Sequence, residues 1–476
     1  KSPNDDCGYD ISDYCDIMDE FGTLDDLKKL VKEMHGRGMK LILDLVANHS
    51  STAHKWFQES RKGKDNPYSD YYYWFDNPPN DWTACFGGSA WEYEPLRNQY
   101  YLHSYAISQA DLNWENPKVR EEMKAVVDFW VALGVDGFRC DVLDQISKDF
   151  PKKLNGNGPR LHEFIHELFG RPNCEHIFTV GECWSANETN IRELTLDSRK
   201  ELSTVFQFQH LSIGNRDDYG ITGVDLSQLK KILVKWQHFA IENDTLYTLF
   251  FENHDQLRYI SKFGNDQELR YESATMFATQ FFLLRGVPFL YQGQEIGMTN
   301  SYSKNIDEIR DIQAFNYYHE NKERLPHDLL MKAVNFRNRD NARRPMPWND
   351  SAYAGFSTVE PWIPTYLRYQ EINVEKDLHS DRSVYKFYQN LLSLRKSHPS
   401  VTLGDFKEVQ EVPESCFVYE RILGKEHLLV VINFKDSTEL NLKGYSKGKL
   451  ILSNYDHKTR SINGAYQPYE IAVFQL

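Results

Sequence analysis

Residues 116–142 read NPKVREEMKAVVDFWVALGVDGFRCDV, and this stretch decides the fold class. Asn116 caps a helix whose first turn holds Pro117, where the missing N–H is not needed. Val119, Met123, Val126, Val127 and Trp130 recur at helical spacing as one apolar stripe. Gly134 stops the helix, and 135–142 follows as a strand. The same unit occurs upstream. Thr23 opens a helix with Asp26 reaching back in a capping box, and Leu27, Leu30, Val31 and Met34 form its stripe. After Gly36 and Gly38 comes 41–46, apolar on both faces apart from Asp44, the pattern of a buried parallel strand. Strands at 177–180, 246–251 and 287–291 extend the series. Alternation over roughly 300 residues predicts a parallel sheet covered by helices, and periodicity alone leaves open a doubly wound sheet or a (β/α)8 barrel.

Two segments break the rhythm. Residues 50–110 are rich in Tyr, Trp, Asp, Asn, Gly and Pro and predict an inserted subdomain; 296–375 are irregular and polar and predict a long βα-loop. Beyond a helix near 384–395, short alternating strands at 416–419, 427–432, 449–452 and 471–476 predict a small antiparallel β domain. The expected organisation is therefore a catalytic α/β domain over 1–49 and 111–400, an insertion over 50–110 and a β domain over 401–476.

Composition narrows the function classes. With 476 residues and 41% apolar side chains a large core is available. Lys and Arg total 55 against 69 Asp and Glu, a net charge of −14, which argues against a nucleic-acid partner. The seven cysteines, at 7, 15, 85, 140, 174, 183 and 416, contain no CxxC pair. That suits free thiols in a reducing compartment, the cytoplasm, rather than a disulfide framework or a zinc knuckle. No run approaches the ~20 apolar residues of a membrane span.

Chemistry in α/β barrels gathers at the C-terminal ends of the strands. Here four strand ends carry polar residues that a core would not choose: Asn48 and His49; Arg139 and Asp141; Glu182 after Gly181; Asn253, His254 and Asp255. Three carboxylates facing a common centre point to glycoside chemistry, in which two carboxyls flank an oxocarbenium-like transition state. Arg139, two residues from Asp141 on the same strand face, is expected to keep Asp141 ionised. Trp184 and Phe178 suggest an apolar setting for Glu182 as the proton donor.

These residues resemble a known family. Asp44-Leu-Val-Ala-Asn-His49, Gly137-Phe-Arg-Cys-Asp141-Val142, Gly181-Glu182 and Glu252-Asn-His-Asp255-Gln256 resemble, in order and spacing, the four motifs of the α-amylase superfamily, glycoside hydrolase family thirteen. Ala110-Asp111-Leu-Asn113 resembles the motif closing the inserted domain, and Gly286 to Glu295 the eighth-strand motif. The resemblance implies a (β/α)8 TIM barrel and a retaining mechanism. Asp141 would be the nucleophile, Glu182 the acid/base and Asp255 the third carboxylate, with His49, Arg139 and His254 holding the sugar before the scissile bond. Asp5 to Asp10 and Asn341 to Met346 resemble the α-glucosidase branch, in which Asp6 and Tyr9 line that subsite and an Asp6–Arg343 pair closes it for exo action. Val142, directly after the nucleophile, resembles the α-1,6-acting members, the oligo-1,6-glucosidases and dextran glucosidases. An α-gluco-oligosaccharide is the implied partner, with no cofactor required.

Departures from the pattern matter as well. The loop from Gly214 to Leu226 has no lysine, only Arg216, which counts against a trehalose-6-phosphate hydrolase. Arg344 replaces a small residue. The Asp6–Tyr9 loop follows the second barrel strand in the family, so the first two strands are expected to be missing from this chain, and structural calcium is expected only through that missing segment. His162-Glu163-Phe164-Ile165-His166 fits the zinc-protease helix motif H-E-x-x-H, a weak signal when alone. An α-1,4-preferring glucosidase, a transglucosylase and a non-catalytic sugar-binding relative are the other readings.

Overall fold

The computed structural model describes residues 1–215, 223–457 and 459–476. The expectation for Arg216 lies outside the described residues. The chain divides into two compact units, Lys1–Phe208 and Gln209–Leu476.

In the first unit the strands Ile42–Val46, Gly137–Asp141, Phe178–Glu182 and Thr204–Phe206 form one sheet in that order, every pair parallel. The register sets Asp44 opposite Arg139 and Val46 opposite Asp141, so the polar residues fall at one end of the sheet. Helix Pro117–Ala132 is capped by the Asn116 side chain and buries all five residues of its predicted stripe. Gly137 is required by close approach, since a Cβ there would lie 1.9 Å from the Phe178 carbonyl oxygen.

Three sequence expectations need correction in this unit. Strand Ile42–Val46 stands at the sheet edge, so its first three residues are half-buried or exposed rather than buried on both faces. The stripe of helix Leu24–Gly36 buries only Val31, and Leu30 is 49% exposed, although the Thr23–Asp26 capping box forms as expected. Strand Thr204–Phe206 was not foreseen: three residues are too few to show a period.

Within 50–110, a ladder pairing His49–Ser51 with Gln109–Asp111 precedes and closes a small antiparallel sheet of Trp74–Phe75, Gln99–Leu102 and Trp91–Glu94. Tyr73, Ala90, Trp91 and Leu102 form its core, with Phe75, Trp82 and Phe150 packed against them. Much of the segment's aromatic content is therefore packing.

In the second unit, Thr248–Leu249 pairs in parallel with Val287–Pro288, both shorter than the apolar runs around them. The stretch 296–375 is not an irregular loop. It contains helices Ile312–Asn321 and His327–Arg337, which meet over Ile309, Ala314, Met331 and Val334. So few apolar residues suffice for a short helix pair that the stripe was hidden in a polar sequence. The C-terminal sheet runs Asp405–Glu408, Cys416–Leu423, Glu426–Asn433, Ile471–Gln475, Lys449–Ser453, antiparallel throughout, over a core that includes Val418, Leu429, Val431 and Phe474. Among the described residues no helix is long and apolar enough to cross a membrane.

Candidate active site

Arg139 organises the first unit's polar strand ends. Because side chains alternate along a strand, Arg139 and Asp141 share a face. Arg139 Nη1 donates to Asp141 Oδ1 at 2.6 Å and to Asp44 Oδ1 at 2.8 Å, while Nη2 donates to Glu182 Oε2 at 2.6 Å. Asp141 and Glu182 are 6% and 2% exposed, so these are buried, charge-assisted bonds. Burial works against the guanidinium charge, but Glu182, Asp141 and Asp44 outweigh it and hold the Arg139 pKa well above its ordinary value. Arg139 thus lies against Asp141, where the sequence reading placed it, while Glu182 meets a cation rather than the apolar setting expected for it. Its Oε2 also accepts from the Val142 N–H at 3.2 Å, and its Oε1 accepts from Trp184 Nε1 at 3.1 Å. Trp184 stacks on Phe208, 4.1 Å between centroids.

A second cluster surrounds His49. Its Nε2 donates to the Tyr9 carbonyl at 3.2 Å while Nδ1 accepts from Asn48 Nδ2 at 3.3 Å. Burial pushes its pKa down, which favours the neutral ring. The Gln109 amide donates to Asp6 Oδ2 at 3.1 Å and also lies 3.2 Å from His49 Nε2. Tyr9 donates its hydroxyl to Asp44 at 3.0 Å, and the Arg139 guanidinium sits 5.7 Å from its ring centroid. Asp6, Tyr9, His49 and Arg139 are thereby linked, with Gln109, Asp44 and the Tyr105 ring, tilted at 46° to His49 with centroids 5.3 Å apart, as members the sequence reading missed. Gln109 directly precedes the Ala110–Asn113 motif, which was its one available signal.

Below this cluster lies a buried ammonium. Lys148 Nζ sits 2.9 Å from Asn48 Oδ1, 2.9 Å from Asp111 Oδ2 and 2.7 Å from the Gln145 carbonyl, with the Lys148 side chain 1% exposed. It joins the start and the end of the insertion through one charge.

In the second unit Asp255 Oδ1 accepts from Arg343 Nη2 at 2.7 Å and Arg339 Nη1 at 3.3 Å, and His254 Nε2 lies 3.1 Å from Oδ2. Burial opposes ionisation, but His254, Arg343 and Arg339 outweigh it and hold the Asp255 carboxyl well below the usual range. Arg343 also donates to the His254 carbonyl at 3.0 Å. Neither Arg343 nor Arg344 is plain surface charge. Arg344 is 2% exposed and donates to the Ser301 and Pro364 carbonyls. Arg339 was missed: it lies four residues before the motif arginine.

The H-E-x-x-H residues are engaged separately on helix Leu161–Phe169. His162 pairs with Glu201 and Glu193, Glu163 with Arg160, and His166 Nδ1 with the Arg199 carbonyl. Cys140 and Cys183 are buried, and burial pushes both thiols up.

Two carboxylates gripped by neighbouring nitrogens of one guanidinium thus stand at the ends of adjacent parallel strands. Residues 1–404 match the family described as alpha amylase, catalytic domain. The chain belongs to that family of glycoside hydrolases, and its catalytic domain has the family's TIM-barrel fold, followed by the antiparallel sheet. It is 44% identical to an oligo-1,6-glucosidase of Parageobacillus thermoglucosidasius over 100% of this chain and 90% of the relative. It is 40% identical to a glucan 1,6-alpha-glucosidase of Streptococcus dysgalactiae subsp. equisimilis over 96% of this chain and 86% of that one. The solved structure of Bacillus licheniformis trehalose-6-phosphate hydrolase superposes with a TM-score of 0.93 at 38% identity, covering 100% and 90% of the two chains.

Proposed function

We propose that this protein is a retaining, exo-acting α-glucosidase that releases terminal α-1,6-linked glucose from isomalto-oligosaccharides and dextran fragments. The observation that carries the reading is the Arg139 fork, 2.6 Å from both Asp141 and Glu182. Carboxylates gripped by one planar group are set close together. The retaining course, in which two carboxyls about 5–5.5 Å apart act as nucleophile and acid/base, is the one that the sequence resemblance implies for such a pair.

Asp141 attacks the anomeric carbon while Glu182 gives its proton to the leaving glycosidic oxygen, forming a glucosyl ester and freeing the shortened sugar. Water then attacks the same carbon, Glu182 takes back a proton, and glucose leaves with Asp141 restored. Arg139 keeps Asp141 anionic for the first step and offsets the charge left on Glu182. Asp255, held ionised by His254, Arg343 and Arg339, receives sugar hydroxyls as the ring flattens. The exo mode rests on the Asp6–Arg343 pairing that the sequence resemblance implies. Attack, protonation and orientation are all assigned to side chains, so the chemistry requires no cofactor. Seven free thiols suit the cytoplasm as its location.

The α-1,6 preference rests on Val142 and on the likeness to 1,6-acting relatives; the likeness to a trehalose-6-phosphate hydrolase supplies the second reading. Glucose release from isomaltose, isomaltotriose, maltose and trehalose 6-phosphate, measured side by side, decides between them. Isomaltose well above maltose is expected. Faster turnover of trehalose 6-phosphate overturns the linkage assignment, and no release from any substrate overturns the hydrolase reading.

A further inference from the structure

The second unit contains a cavity lined by none of the residues assigned above. Its volume is about 210 Å³. That is below the ~300–1,000 Å³ of sites for larger organic ligands, yet several times the ~30 Å³ that a water occupies. It suits a small ion rather than a sugar chain.

Its charges are unevenly matched in a chain whose net charge is −14. Arg270, Lys376 and Arg382 line it, with Glu371 and Asp377 as the acids among the described residues of the lining. Asp377 is already committed: its carboxylate accepts from Ser383 Oγ at 2.7 Å and from the Val384 and Tyr385 N–H groups at 3.0 Å, capping helix Val384–Ser397. Glu371 is paired with Arg368 at 3.1 Å and is 68% exposed. Arg382 pairs with Glu272 at 2.5 Å, and Lys376 reaches Asp350 at 3.3 Å from the rim.

Arg270 is different. Its Nη1 donates to the Ile296 and Gly297 carbonyls at 2.9 and 3.0 Å, and it makes no ion pair among the described residues. Burial pushes its pKa down, with Tyr366 and Asp377 opposing only in part. A half-buried guanidinium without a carboxylate is costly, and an incoming anion would remove that cost. The planar fork of donors matches a tetrahedral oxyanion.

We propose that this cavity is a binding site for a small oxyanion, inorganic phosphate or the phosphoryl group of a monoester, held by Arg270 with Lys376 and Arg382. A bound oxyanion would tie the start of helix Arg270–Phe282 to the segment around Val374–His379, so binding stabilises the fold in proportion to ligand concentration.

Thermal unfolding in sodium phosphate against sodium chloride of equal ionic strength tests this. The wild-type Tm is expected to rise by ~2–4 °C at saturating phosphate, the response to about 1 kcal/mol in a large domain. Arg270→Gln should lose the rise. Lys376→Met, at the half-exposed rim, should weaken phosphate binding several-fold by isothermal titration while leaving the ligand-free Tm unchanged. Absence of a rise beyond the chloride control overturns the proposal, as does an equal rise in Arg270→Gln. Glucose 6-phosphate, compared with glucose at equal concentration, serves as the second probe: a rise beyond that of glucose which is lost in Arg270→Gln supports the site, and one that persists there overturns it.

Discussion

Val142, a β-branched residue held at a φ of 36°, donates its backbone N–H to Glu182 Oε2 at 3.2 Å. A left-handed valine is strained by on the order of 1–3 kcal/mol. The residue that follows the proposed nucleophile therefore stores strain in the bond that orients the proposed acid.

Substitution at 142 should separate the roles of this position. In Val142→Ala the ratio of isomaltose to maltose turnover should fall, because valine at this position is the residue on which the likeness to α-1,6-acting members rests. Its stability loss should be on the order of 1 kcal/mol smaller than for Val180→Ala, whose residue sits unstrained in a strand core, since strain is partly relieved. Matched Tm and kcat/KM measurements check both parts, and an unchanged substrate ratio would remove Val142 from the linkage argument.

Asp141→Asn should lose at least ~10³-fold in turnover with the Tm nearly unchanged, since the covalent step is removed while the Arg139 bond can still be accepted by the amide oxygen. Turnover within tenfold of wild type would contradict the assignment.

Arg139→Ala should behave differently. It leaves Asp141 and Glu182 buried without their counter-charge, a loss on the order of 3–5 kcal/mol in stability as well as activity. Chemical denaturation distinguishes it from the isosteric Asp141→Asn.

The Asp255 cluster predicts an acid-side effect. Its carboxyl is held well below the usual range, so its stabilisation is present above the unfolded value of ~3.9 and is lost as pH falls towards the folded value. Asp255→Asn should be less stable than wild type at neutral pH, and the gap should narrow below about pH 4. A gap independent of pH would mean that the ion cluster contributes nothing.

Lys148→Met should destabilise the fold by on the order of 3–5 kcal/mol, because the Asp111 carboxylate loses its buried partner. In native-state alkylation, exposed Cys85 should label first while Cys140 and Cys183 stay unlabelled and activity persists. Inactivation tracking Cys140 or Cys183 would give those thiols a direct role.

By itself the sequence determined the α/β order, the C-terminal β strands and the carriers of the chemistry. Strand and helix periods are local, and Asp141, Glu182, His254 and Asp255 sit just where apolar runs stop. Tertiary structure alone decided how these groups are held. Arg139 spans Asp44, Asp141 and Glu182 because parallel register sets neighbouring strand ends side by side, a relation that no spacing within one strand encodes. Gln109, Lys148 and Arg339 were hidden for the same reason: each completes a charge or hydrogen bond with a partner distant in sequence. The exposed stripe of helix Leu24–Gly36 and the half-exposed edge strand Ile42–Val46 show the converse, since periodicity proposes an apolar face but only packing partners bury it.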